Sequence, residues 1–375
     1  MSTASLRVLI VDDTALYRKI LTDAAAQVPG LEVAAAVASG PIALTRLATD
    51  PVDLVLLDVF MPEMNGPEVL ERIRRDYPRI AVVMISGATG ADAAITINAL
   101  AAGALDFIPK PQTASFADGM SRLRSQLAHV VRLVQIRRIG STPSSSAPSS
   151  SIPAPSSKLP APNSPLPAPR SAAPRSARPP LNLDVLLIGV STGGPKTLQE
   201  LLPRLPADFR LPIVLVQHMP PLFTRTLAEQ LDKVCALRVK EAADGDLVRP
   251  GHILIAPGGR HLEIFRQPDG ALTTRLTDAP PVNSCRPAVD VLFQSAARCG
   301  LRGALSLILT GMGEDGANGV AALKAALPTW SIAQDEATCV IYGMPAAVVR
   351  RDLADEILPL PAIAPRLVEL ARIRF

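Results

Sequence analysis

Along most of this chain, short runs of apolar residues alternate with longer stretches whose apolar positions recur every three or four residues. In the N-terminal third the runs are "RVLIV", "DLVLLDV" and "AVVMIS", separated by "ALYRKILTDAAAQ" and "GPEVLERIRRDY". Uninterrupted apolar runs suit strands buried on both faces, and amphipathic stretches between them carry the chain back over the sheet. The pattern therefore predicts a doubly wound parallel α/β domain. The C-terminal half repeats it with "DVLLIGV", "PIVLVQH" and "ALSLILTG". Within that half, the Gly and Pro punctuation of "GDLVRPGHILIAPGGRHLEIF" predicts a hairpin among mostly parallel units.

The two patterned regions are separated by "STPSSSAPSSSIPAPSSKLPAPNSPLPAPRSAAPRSARPP". Such a stretch has too few large apolar side chains to offset the entropy of ordering it, and its prolines favour extended spacers. The expected organisation is a domain over residues 5–125, a linker over 140–181 and a second domain over 182–375, and 375 residues suit two cores. Lys158, Arg170, Arg175 and Arg178 of the linker, where there are no acids, account for the whole net charge of +4. The remainder is balanced, which argues against a folded nucleic-acid-binding face. No apolar run is long enough to span a bilayer, and "MSTASLRVLIVDD" has no signal-peptide layout. The four cysteines lack C-x-x-C spacing, so reduced thiols in a cytoplasmic protein are expected.

The polar residues that end the N-terminal runs carry the first candidate chemistry. "LIVDD" ends in Asp12 and Asp13, "LVLLDV" carries Asp58, "VVMIS" ends in Ser86, and "ALDFIPKP" contains Lys110. In an open parallel sheet these carboxyl ends form one ligand-binding edge. Three carboxylates gathered there call for a hard cation such as Mg²⁺. Asp58 could then attack a phosphoryl donor, with the ion and Lys110 screening the added charge. These segments, with "GALDFIPKP" and "DVFMPEMNGPEVL", resemble the receiver domain of two-component response regulators. The resemblance implies a flavodoxin-like fold and a histidine kinase as phosphodonor. It makes Asp58 the phosphoacceptor and Asp12, Asp13 and Asp58 the Mg²⁺ site, with Ser86, Lys110 and Phe107 as switch residues.

In the C-terminal half, Gly189–Gly193 reads G-x-S-x-G around Ser191. The segment could be a nucleophile turn or a glycine-rich phosphate loop, although G-x-x-x-x-G-K-[ST] is absent. A serine nucleophile needs a base. Of four histidines, His129 falls in a helical stretch and is expected to be solvated, and His252 and His261 are expected in surface or turn roles. His218 ends the run "PIVLVQ" and should share a sheet edge with Ser191. Asp315 follows "ALSLILTG" and should reach the same edge. Ser191, His218 and Asp315 thus form a candidate nucleophile, base and orienting acid, with the base expected near the ordinary histidine pKa of ~6.5. The chain order Ser…His…Asp differs from that of α/β-hydrolases.

"IGVSTGGP", "VQHMPPLFTRTLAEQLD", "PPVNSCRPAVDVLF", "ILTGMGEDGANG" and "IAQDEATCVIYGMP" resemble the chemotaxis protein-glutamate methylesterase (CheB) family, in which a receiver precedes the catalytic domain. The resemblance implies hydrolysis of glutamate γ-methyl esters on chemoreceptors, with glutamine deamidation as a related activity and no cofactor for the esterase step. It makes the backbone at Thr192 and Met312 the oxyanion site, and it implies that the unphosphorylated receiver covers the cleft. Three departures from the family pattern stand out: Ser86-Gly87-Ala88-Thr89 after the fourth receiver run, "AALPTW" at Ala325–Trp330, and a Pro/Ser linker that is long for the family. A response regulator whose C-terminal domain only binds a partner is the alternative from another class.

Overall fold

The computed structural model describes residues 5–87, 89–110, 116–140 and 182–372. The Pro/Ser-rich segment, residues 141–181, lies outside them. The N-terminal unit runs β1 (Leu6–Val11), α1 (Ala15–Ala25), β2 (Leu31–Val37), α2 (Gly40–Thr49), β3 (Leu54–Asp58), α3 (Gly66–Asp76), β4 (Ala81–Ser86), α4 (Gly90–Ala101), β5 (Asp106–Pro109) and α5 (Phe116–Gly140). Its sheet has the order β2-β1-β3-β4-β5, all parallel. Every residue of β3 and β4 is buried, which explains why their sequences lack polar alternation. Asn65 and Glu68 fix the start of α3, each side chain accepting the other's backbone N–H at 3.0 Å. Leu123, Leu127, Val130, Val131 and Val134 are buried along α5, at the spacing of one helix face. That stripe carries the helix well past residue 125.

The C-terminal unit continues with β6 (Val185–Val190), α6 (Gly194–Leu201), β7 (Ile213–Gln217), α7 (Phe223–Asp232), β8 (Arg238–Glu241), β9 (His252–Ile255), β10 (His261–Arg266) and β11 (Leu272–Thr277). After these come α8 (Val289–Ala297), β12 (Ala304–Ile308), α9 (Ala317–Ala326), β13 (Thr329–Gln334), α10 (Met344–Arg350), β14 (Glu356–Leu358) and α11 (Leu360–Arg372). Seven strands pair in parallel in the order β14-β13-β12-β6-β7-β9-β8. The hairpin falls later than the punctuation suggested. "HILI" joins the large sheet between β7 and β8 because Ile253, Leu254 and Ile255 are buried there, and β10 and β11 form the separate antiparallel pair.

From β6 the chain first builds outward through β7 and then returns to add β12 on the other side. The carboxyl end of β6 is therefore a topological switch point, where an open α/β sheet leaves a crevice. The N-terminal unit sits over this crevice. Ala93 and Ile97 of α4 share one apolar cluster with Phe223 and Leu227 of α7. The Phe107 and Phe223 rings lie 4.3 Å apart, centroid to centroid. Gln230 Nε2 donates to the Ala94 carbonyl at 3.2 Å. Among the described residues, no helix is long and apolar enough to cross a membrane.

Candidate active site and phosphoacceptor site

Ser191 follows β6 directly, and its N–H donates to the Thr310 carbonyl beyond β12 at 3.0 Å. Gly193 turns the chain into α6 with φ +80°, a conformation that favours glycine. At Gly311 a side chain would run into Ser191 Cβ, 2.8 Å from where its own Cβ would stand, so the two segments can pack only with glycine there. Gln217, the last residue of β7, donates through Nε2 to the Ser191 carbonyl at 2.9 Å. Three adjacent strand ends are thus tied together around the serine.

His218 and Asp315 meet at 2.8 Å, Nε2 to Oδ2. An ionised carboxylate only accepts, so Nε2 carries the proton and Nδ1 is left as the basic nitrogen. Cys285 Sγ lies 3.6 Å from Nδ1. Asp315 is buried and accepts from the Val289 N–H at 2.7 Å, the Asp290 N–H at 3.0 Å and Asn283 Nδ2 at 3.1 Å. Burial pushes this carboxyl up, but the His218 hydrogen bond and charge, joined by the Val289 and Asp290 N–H groups of the first turn of α8, outweigh it and hold the carboxyl below its usual range. Burial pulls the His218 imidazolium down, but Asp315 and Cys285 outweigh it and push the pKa up to about 9. That departs from the ~6.5 expected of an ordinary histidine, because the carboxylate partner is close, ionised and shielded from water.

Ser191, Thr192, His218, Cys285 and Met312 line one cavity of about 590 Å³. Among the described residues, neither the Thr192 nor the Met312 backbone N–H is engaged in a hydrogen bond. The N-terminal unit contributes Leu100, Asp106, Phe107, Gln126 and His129 to the same walls. Asp106 accepts from Thr192 Oγ1 at 3.4 Å, and burial pushes its carboxyl up to about 6.

Two histidines differ from expectation. His129 is not free in solvent but half-buried at this cavity, because α5 turns it toward the other unit. His261 is fully buried rather than at the surface. Its Nδ1 accepts the Ala288 N–H at 3.2 Å and its Nε2 donates to the Pro280 carbonyl at 3.1 Å. His252 lies at the start of β9, the end of the sheet away from His218. Cys285 and Asn283 were not singled out in sequence. They lie in a loop without periodicity, and only the polar segment "PPVNSCRP" hinted at them.

In the N-terminal unit, Asp12, Asp13 and Asp58 each bring an oxygen within 4.8 Å of the other two. Lys110 Nζ lies 2.8 Å from Asp58 Oδ2 and 3.0 Å from Asp12 Oδ2. Burial, opposed by the Lys110 hydrogen bond and aided by the Asp12 charge, pushes Asp58 up to about 6. Asp12 Oδ2 is buried and, apart from that ammonium, has no partner among the described residues. An all-oxygen, anionic donor set with an orphaned oxygen fits a hard divalent cation such as Mg²⁺. Ser86 is buried at the end of β4, where its Oγ accepts from Thr96 Oγ1 at 2.7 Å. Phe107, on β5, points away from this cluster and onto Phe223.

A response regulator receiver domain model matches residues 8–117, and a CheB methylesterase model matches residues 186–367. The protein-glutamate methylesterase/protein-glutamine glutaminase of Desulfotalea psychrophila is 40% identical over 371 residues, 98% of this chain and 99% of its own. The like-named proteins of Trichodesmium erythraeum and Geobacillus kaustophilus are 39% and 40% identical, covering 96% and 98% of this chain and 98% and 99% of theirs.

Proposed function

The chain belongs to the CheB methylesterase family, with a receiver domain ahead of the catalytic one, and on that premise we propose that it hydrolyses glutamate γ-methyl esters on chemoreceptors under control of phosphorylation at Asp58. The observation that carries this reading is the His218–Asp315 pair at 2.8 Å, in one cavity with Ser191 and two unengaged backbone N–H groups.

Ser191 Oγ attacks the ester carbonyl carbon while its proton passes to His218 Nδ1. The carbonyl π electrons move onto oxygen, where the Thr192 and Met312 N–H groups meet the charge; each such donor is worth ~3–4 kcal/mol. Collapse breaks the bond to the methoxy oxygen, which takes the proton from His218 and leaves as methanol. Water then attacks the acyl-serine with His218 again as base, freeing Ser191 and a glutamate carboxylate. Glutamine deamidation follows the same path with ammonia as leaving group. The esterase step needs no cofactor.

In the receiver, Asp58 would take a phosphoryl group from a histidine kinase, its oxygen forming the new P–O bond as the bond to the donor breaks. Asp12, Asp13 and Asp58 would hold Mg²⁺, which when bound neutralises charge on the phosphoryl oxygens. Lys110 pairs with the added anion. The receiver's position over the catalytic cavity supports a role as a removable cover.

The test is incubation of methylated chemoreceptors with the full chain, scoring methanol release and loss of methyl mass. Ser191→Ala should abolish both and leave the fold intact. Near-normal release by that variant would remove Ser191 from the mechanism.

A further inference from the structure

Behind the His218–Asp315 pair lies a second buried carboxylate that the mechanism above does not use. Asp290 sits in the first turn of α8 and its Oδ1 accepts the Gly316 N–H at 2.9 Å and the Gly319 N–H at 2.7 Å. Burial raises its pKa, with the Asp315 charge adding to the effect and hydrogen bonds opposing it. Two like charges so placed would repel and drift apart unless donors join them. One side chain bridges them directly. Asn283 Nδ2 donates to Asp290 Oδ2 at 3.0 Å and to Asp315 Oδ1 at 3.1 Å, which uses both of its N–H groups.

The backbone is shaped for this bridge. Asn283 and Ser284 both have positive φ, +52° and +63°, a region that asparagine enters more readily than most residues. The loop is pinned at both ends by His261, through the Pro280 carbonyl and the Ala288 N–H. Two residues beyond Asn283, Cys285 faces His218 Nδ1. Asn283 thus closes the cavity side of a carboxylate pair whose other faces are backbone N–H groups and Asn318.

The geometry points to Asn283 as a positioning residue of the esterase: by bridging Asp290 and Asp315 it aims Asp315 Oδ2 at His218 and sets the pH at which His218 becomes a base. It acts through Asp315 and touches no reacting atom. This rests on the reading of His218 and Asp315 as base and orienting acid. The other titratable or charged groups around the pair are Asp290, Cys285 and Arg286 and, from the receiver, Asp106 and His129.

The test uses the full chain and two variants chosen for the backbone. Asn283→Gly removes the amide and tolerates positive φ. Asn283→Asp keeps the size and replaces the donor with a third carboxylate. Two readouts that need no receptor are the labelling rate of Ser191 by a fluorophosphonate across pH and the NMR titration of His218 in ¹⁵N-histidine-labelled protein. Asn283→Gly should slow labelling by about ten- to a hundred-fold, the scale of losing a hydrogen bond to a charged group. Asn283→Asp should slow it further and move the His218 midpoint to higher pH, since added negative charge favours the imidazolium. Wild-type labelling and an unmoved midpoint in Asn283→Asp overturn the proposal. So does labelling lost only in proportion to unfolded protein, with the His218 midpoint of the folded fraction unchanged. If both readouts shift as expected while receptor methyl esters stay intact, the substrate assignment fails and the positioning role stands.

Discussion

At the scale of single residues, the proposed mechanism makes His218 the group that sets when the site can act. Burial lowers its pKa, but Asp315 and Cys285 outweigh that and push it up to about 9, which on the proposed mechanism favours the imidazolium at neutral pH and leaves little free base for the Ser191 proton. Ester hydrolysis should therefore climb with pH through a limb near 9 rather than near 6.5. Asp315→Asn removes the charge that raises the pKa and leaves burial to lower it. The limb should then move to lower pH while the plateau rate falls, which a pH–rate series on both proteins would detect. An Asp315→Asn limb at or above the wild-type position would contradict this account. Stability follows the same pair. A histidine whose folded pKa exceeds its unfolded value of ~6.5 contributes fully below ~6.5 and loses that contribution as pH rises through about 9.

At the scale of elements, the site depends on where α8 begins. Its first two N–H groups hold Asp315, and the residue before it is fastened by His261. His261→Ala would strand the buried Ala288 N–H and leave a void, which should cost about 2–4 kcal/mol in urea unfolding. His261→Gln keeps one donor and one acceptor and should cost less. Activity should drop with His261→Ala as well, because the loop carrying Asn283 and Cys285 loosens, whereas His252→Ala at the far end of the sheet should change little. Equal stability of the wild type and His261→Ala would remove this buried ring from the support of α8.

At the scale of the whole molecule, the receiver lies across the catalytic cavity through α4 and β5, with Phe107 against Phe223 as the aromatic contact. An aromatic pair adds about 0.5–1.5 kcal/mol beyond its burial, enough to shift a closed–open balance by up to about ten-fold. Phe107→Ala should accordingly raise basal ester hydrolysis several-fold and shrink the further gain on adding a small phosphodonor with Mg²⁺. Asp58→Ala should keep the low basal rate and lose the gain. Esterase rates of the three proteins, with and without phosphodonor, check both. A Phe107→Ala protein with unchanged basal rate would mean that this contact does not hold the cover shut.

The strands and most of the helices were legible in the chain because burial on both faces leaves uninterrupted apolar runs, and a side chain at the end of such a run is placed by the strand itself. That reasoning located Ser191, His218 and Asp315, and Asp12, Asp58 and Ser86, before any contact was known. It could not supply strand order. Only the folded sheet makes β12, β6 and β7 neighbours, since the pairing of β12 with β6 joins residues more than a hundred positions apart. Nor could it find Asn283, Cys285 or the buried role of His261, whose partners are carboxylates, the His218 ring and backbone groups brought in by other segments. His129 and Phe107 carry polar and apolar signals that suit an isolated receiver equally well. Their place at the catalytic cavity was decided by the docking of one unit on the other, which leaves no periodicity in either sequence.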